Sequence, residues 1–151
     1  MNVTVDLQNA SGASALPLKR QFKLWAATAM NALSSEGKNA HLSIRLVDEN
    51  ESAELNSQYR QKQGATNILS FPVPAELAVT GELGDLAICA QVVRKEAQAQ
   101  GKQETAHWAH LVVHGVLHLQ GYDHENTPDA SEMEALEINI LEQLGIANPY
   151  Q

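Results

Sequence analysis

His114, His118 and His124 form an H-x3-H-x5-H run inside HGVLHLQGYDH. That spacing brings three imidazoles within reach of one metal ion. The first two lie four residues apart in an apolar stretch that reads as helix, so both rings project from one face about one turn apart. Gly121 supplies the turn: a glycine just past the last periodic residue takes the left-handed conformation that ends a helix, and Tyr122 and Asp123 then swing His124 back toward the pair. Three neutral nitrogens leave a fourth tetrahedral position open, the arrangement of catalytic rather than structural zinc. Such an ion activates water and polarises the bond being cut. The plainer reading, polar side chains satisfied near a core, is weakened by the Gly121 turn.

The nearest general motif is H-E-x-x-H-x-x-G-x-x-H of zinc peptidases, matched through His114, His118, Gly121 and His124. Gly115 stands where that motif carries its glutamate, and glycine can neither accept nor donate a side-chain proton, so peptidase chemistry is disfavoured. Arg60 and Lys62, in QYRQKQGATNILSF, lie in a loop just before a strand. A guanidinium grips phosphate with a planar fork, which makes Arg60 the candidate for substrate phosphate and transition-state charge and Lys62 an auxiliary. A solvated loop pair is the alternative. Asp85, in GELGDLAI, enters a strand that reads as buried; it would orient a zinc histidine, position water or serve a structural hydrogen bond. Asp123 is read as stabilising the turn. His110 continues the His114 face one turn upstream, too far from His118 to be assumed part of the same shell, and His107 and His41 are read as non-ligands.

Toward the N-terminus, Val3, Val5 and Leu7 alternate with polar neighbours as a first strand ending near Gln8. Residues 17–33 read as an amphipathic helix with Pro17 in its first turn and Trp25 as a core anchor, closed by SSEGKN. Residues 42–47 form a second strand and 48–59 a helix marked by Ala53, Leu55 and Tyr59. ATNILSFPVP holds a short strand ended by Pro72 and Pro74, and Leu83 to Cys89 another after the Gly81 turn. Helices follow at 90–100, at 104–120 (the metal helix) and at 131–144, the last opened by a Ser131–Glu134 capping box. One layer of helices on a mixed sheet covers these apolar faces most simply.

At 151 residues, 44% hydrophobic and only 5% aromatic, the chain suits one domain, residues 1–151, with a mostly aliphatic core. Neither a signal peptide nor an apolar run of about 18 residues is read in it, so a cytoplasmic protein with no membrane partner is expected. Lone Cys89 is read as a small buried thiol without a catalytic role. The net charge of −8, from 18 acids and 10 bases, argues against broad attraction to nucleic acid, and no DNA partner is expected. Six of the acids fall in residues 125–151, which carry no Lys or Arg, so residues 1–124 hold twelve acids against ten bases. Phosphate could still be gripped locally by a metal and a few aimed cations.

HGVLHLQGYDH, the upstream RQKQGATNILSFP and the intervening GELGDLAI, in that order, resemble the bacterial YbeY family of single-domain, metal-dependent endoribonucleases and rRNA maturation factors. The likeness covers nearly the whole chain; Asn67 stands where TDVLSF, the family's usual form, has Asp. It implies an α+β fold with a four-stranded mixed sheet packed with about five helices around a zinc-binding central helix. It also implies one Zn2+ on His114, His118 and His124, with Arg60 lining the substrate groove. The expected substrate is single-stranded RNA, in maturation of the 3′ end of 16S rRNA and ribosome quality control, with the small ribosomal subunit or its proteins as partners. Two other functions stay open: a ribosome-associated assembly factor whose zinc braces the cleft, and a metal-dependent hydrolase of a small phosphorylated substrate.

Overall fold

The computed structural model describes residues 2–33, 39–78, 80–122 and 127–151. Asp123 and His124, and most of the segment read as closing the first helix, lie outside the described residues. The described residues form four strands, β1 (Val3–Asn9), β2 (Ala40–Val47), β3 (Ile68–Pro72) and β4 (Glu82–Cys89), and six helices: α1 (Lys19–Leu33), α2 (Glu49–Arg60), the four-residue α3 (Ala75–Ala78), α4 (Ala90–Gln100), α5 (Glu104–Leu119) and α6 (Thr127–Gln143). The sheet order is β1-β2-β4-β3. β1 and β4 run parallel to β2, and the edge strand β3 runs antiparallel to β4. This is the α+β architecture that the family resemblance implies, built on the mixed sheet that the pattern predicts.

Period-two alternation sorts the strand residues onto two faces. Val3, Val5, Leu42, Ile44, Leu46, Ile68, Leu86 and Ile88 join one core with α1, α5 and α6. Val47, Leu69, Ala87 and Cys89 form a smaller cluster on the other face, against Leu55 of α2. The single helical layer is therefore corrected: α2 packs on the opposite face, where Val92 at the start of α4 also meets the cluster. Its inward residues are Ser52 and Asn56, whereas Tyr59 is exposed and sets its ring edge-on to Phe71, 5.1 Å away. Trp25 is buried, as read, and with Phe22 and Trp108 forms a chain of edge-on contacts at 5.5 and 5.6 Å.

Helix starts depart from the reading where a nearer cap wins. Leu18 precedes α1, and its N–H donates to Gln21 Oε1 at 2.8 Å, so Pro17 lies outside the first turn. Asp48 caps α2 by accepting from Glu51 N at 2.8 Å. α6 begins at Thr127, which places Ser131 and Glu134 inside the helix rather than at its cap.

α5 carries ten buried residues and crosses the sheet beside β3 and β4. Gly115 makes that approach possible. A Cβ there would stand 2.8 Å from Ile68 Cδ1 and 2.8 Å from Leu86 Cδ2, inside ordinary contact distance. The position that separates this sequence from the peptidase motif thus faces the sheet and has no room for a glutamate.

Candidate active site

His110, His114 and His118 share the edge of α5 that faces away from the sheet core, and each is partly buried. The rings of His114 and His118 meet edge-on, centroids 4.6 Å apart, and their Nε2 atoms approach to 3.1 Å. Two nitrogens bound about 2.0–2.1 Å from one tetrahedral ion lie about 3.3 Å apart. The pair therefore presents two donor atoms at a separation one zinc ion would accept. α5 ends as the sequence requires: Gly121 has φ +95°, its N–H donates to His118 O, and Tyr122 N–H returns to Leu117 O at 3.1 Å.

Behind His114 lies a group that sequence reasoning missed. Glu137 of α6, fully buried, accepts from His114 Nδ1 at 2.5 Å. Its other oxygen accepts from the Tyr150 hydroxyl, and His110 Nε2 stands 3.5 Å from the first. Burial alone pushes this carboxyl up, but hydrogen bonds from His110, His114 and Tyr150 more than reverse it and hold Glu137 at about 2. The Tyr150 hydroxyl moves upward, by burial first and then by its hydrogen bond to the carboxylate. The signal was present in the sequence: Met133, Ile140 and Leu141, at helical spacing about position 137, are all fully buried or nearly so. A charged residue in the middle of an apolar stripe needs partners.

Among the described residues, His110, His114 and Glu137 bring one potential ligand atom each within 4.8 Å of one another. The 2.5 Å His114–Glu137 separation is shorter than two ligands on one ion adopt. It is a hydrogen bond, shorter than the roughly 2.7–2.9 Å typical of a charge-assisted N–H···O pair. His110 belongs to this cluster through Glu137 and through Tyr150, whose ring it meets edge-on at 5.4 Å. His107 is buried and bonds Glu96 at 2.9 Å; burial lowers its pKa below the usual histidine value, and the carboxylate only partly offsets that. His41 lies far off, between Asp6 and Glu82 on the sheet. Asn67 donates to Glu96 at 3.1 Å and accepts from Ile68 N at 2.7 Å; an aspartate there would set two carboxylates against each other.

Arg60 is the last residue of α2 and is exposed; Lys62 follows beyond Gln61, which caps the helix in the left-handed conformation. The loop is held firmly, with Asn56 Nδ2 on Gly64 O and Ser52 Oγ bonded to both N and O of Thr66. Among the described residues, no hydrogen bond or ion pair joins Arg60 or Lys62 to His114 or His118. α2 and α5 lie on opposite faces of the sheet, separated by the edge strand β3. Asp85 is a correction: because Leu86 faces Gly115 of α5, its neighbour in the strand points the other way. Asp85 is exposed and lines an open groove of about 530 Å3 with Asp6, Ser43, the Arg45–Glu51 pair, Tyr59 and Phe71, so it does not orient a histidine on α5. Cys89 is buried, and burial raises its thiol pKa.

The family described as Endoribonuclease YbeY matches residues 6–145. Curated proteins named Endoribonuclease YbeY are similar along their full lengths. That of Nitrosococcus oceani is 49% identical and covers 100% of this chain and 99% of its own. That of Colwellia psychrerythraea is 52% identical (97% and 96%), and that of Coxiella burnetii 47% (99% of each). A solution structure of a Thermotoga maritima protein shares the fold, with a TM-score of 0.59 at 22% identity over 92% of this chain and 91% of that one.

Proposed function

This chain belongs to the YbeY endoribonuclease family, and from that membership we propose that it is a zinc-dependent endoribonuclease acting on single-stranded RNA. Residues 1–151 work as one catalytic domain, in maturation of the 16S rRNA 3′ end and ribosome quality control. The observation that carries the metal part is the 3.1 Å convergence of His114 Nε2 and His118 Nε2. His124, just after the Gly121 turn, completes the ligand set. When bound, one Zn2+ supplies Lewis acidity and activates a nucleophile at neutral pH.

The chain's own residues do the rest. His114 and His118 would hold the ion at the edge of α5, on a helix that Gly115 seats against the sheet. Arg60, at the end of α2 where a tightly tied loop begins, binds a nonbridging phosphate oxygen and offsets charge that develops there. Lys62 adds a weaker contact. Since α2 and α5 flank opposite sheet faces, an extended strand reaches both by passing over the β3 edge, which favours single-stranded over duplex substrate. The proposed place of work is the cytoplasm, beside the small ribosomal subunit; no helix among the described residues is long and apolar enough to cross a membrane.

The test is cleavage of an end-labelled single-stranded RNA by highly purified protein. Cleavage stops on metal removal, returns with Zn2+, is lost in His114→Ala and His118→Ala, and falls sharply in Arg60→Ala. Undiminished cleavage in the metal-stripped His118→Ala protein contradicts the proposal. Product ends identify the nucleophile: a 2′,3′-cyclic phosphate indicates the RNA 2′-hydroxyl, and its absence water. One observation favours a second reading, the assembly factor: 18 acids against 10 bases suit a basic protein partner better than bare RNA. Variants that keep rRNA binding but lose cleavage exclude it.

A further inference from the structure

The inference rests on the metal reading just given and extends it to residues outside the ligand motif. His114 uses both ring nitrogens: Nε2 faces His118 and Nδ1 lies 2.5 Å from Glu137. For Nδ1 to donate to a carboxylate it must carry the proton, which leaves the Nε2 lone pair for a metal. Glu137 therefore selects the tautomer and sets the ring plane of one ligand. It is itself held: one oxygen takes His114, the other the Tyr150 hydroxyl. Tyr150 reaches inward from a segment tied down by Lys102 Nζ on Pro149 O at 2.9 Å and by its own N–H on Asn148 Oδ1 at 2.8 Å. A buried carboxylate is costly unless such partners surround it, and the hydrogen-bonded group as a whole could be replaced by packed apolar residues at little or no cost in stability. Its presence in the Met133–Leu141 stripe needs a reason other than stability.

We propose that Glu137 is the positioning residue of the metal centre and that Tyr150 clamps it, so that the 147–151 segment is part of the device that sets zinc affinity. Carboxylates behind a metal-bound histidine typically change metal affinity by about 10–100-fold when removed. Glu137→Gln keeps the shape and a weaker acceptor, and Glu137→Leu removes the acceptor altogether. Tyr150→Phe deletes one hydroxyl and leaves the ring against His110.

The experiment is zinc affinity of the full chain, by competition with a chromogenic chelator, for the wild type, His118→Ala, the two Glu137 variants and Tyr150→Phe. Thermal unfolding of each metal-free protein is measured alongside. The expected result is stoichiometric wild-type binding, lost in His118→Ala. Binding weakens roughly 10-fold in Glu137→Gln and up to roughly 100-fold in Glu137→Leu. Tyr150→Phe weakens it several-fold. Both metal-free Glu137 variants melt below the wild type, because the His114 and Tyr150 donors lose their charged acceptor, so affinity is read well below their melting temperatures, where a change reports positioning rather than loss of the fold. If His118→Ala loses zinc while the Glu137 variants bind within twofold of wild type, the positioning role is overturned and the metal site stands. If His118→Ala binds zinc unchanged, the site and the inference fall together. Should the Glu137 variants fail to fold, unchanged affinity in Tyr150→Phe overturns the clamp.

Discussion

Restoring the peptidase glutamate with Gly115→Glu tests whether position 115 faces a cleft or the sheet. Even a methyl group at 115 would sit 2.8 Å from Ile68 Cδ1, 2.8 Å from Leu86 Cδ2 and 3.0 Å from Leu86 Cδ1, against an optimum near 3.5–4.0 Å. Relieving that overlap costs roughly 1–3 kcal/mol. The better helix propensity of alanine returns about 1 kcal/mol. Gly115→Ala is thus expected to lose between about 0 and 2 kcal/mol. Glutamate adds further carbons and a carboxylate into the same space, where Ile68 and Leu86 offer no donor. Leaving that group unpaired, or forcing α5 off the sheet, costs roughly 5 kcal/mol or more, comparable with a whole domain stability of about 5–15 kcal/mol. Urea unfolding followed by circular dichroism reads the ladder from wild type through alanine to glutamate. A Gly115→Glu protein with the wild-type midpoint would refute the reasoning, and one that also cut peptide bonds would return position 115 to the active site.

Other outcomes follow from single contacts. Gly84 has φ +133°, and a Cβ there would meet Phe71 O at 2.3 Å and Pro72 Cα at 3.0 Å, so Gly84→Ala should lose roughly 2–4 kcal/mol in the same urea assay. The Glu137 carboxyl, at about 2 against an ordinary 4.5, contributes stability that is full above about pH 4.5 and lost as pH falls toward 2. In the metal-free protein this is worth up to about 3 kcal/mol, and the corresponding acid limb should be missing from Glu137→Gln. His41 is raised by its hydrogen bonds to Glu82 and then Asp6. A raised histidine contributes fully below its ordinary 6.5 and loses that contribution as pH climbs through the folded value. Because Asp6 and Glu82 are exposed, His41→Ala should cost no more than about 1 kcal/mol near pH 6 and nothing measurable near pH 9.

How far the chain could be read depended on the range of the interactions. Strand alternation through Val3 to Leu7 and Leu42 to Val47, and the apolar period of α5, are local, and the elements formed close to where those patterns place them. The turn at Gly121 was legible for the same reason: only a residue without a Cβ takes φ +95° easily. Helix starts were less so, because Gln21 and Asp48 cap by side-chain hydrogen bonds that compete with Pro17 and with the hydrophobic period. Asp85 misled because a strand with one open face tolerates an acid at every other position, and periodicity does not say which face is covered. Glu137 and Tyr150 went unread for a different reason. Their meaning lies in His114, 23 and 36 residues away in sequence, and only the packing of α6 and the following segment on α5 brings them together.

X-ray absorption at the zinc edge of the stoichiometrically loaded protein tests the central claim most directly. Three imidazole nitrogens and one light oxygen at about 2.0–2.1 Å are predicted, falling to two imidazoles in His124→Ala. A spectrum fitted by Glu137 carboxylate with His110, or an imidazole count that His124→Ala leaves unchanged, contradicts it.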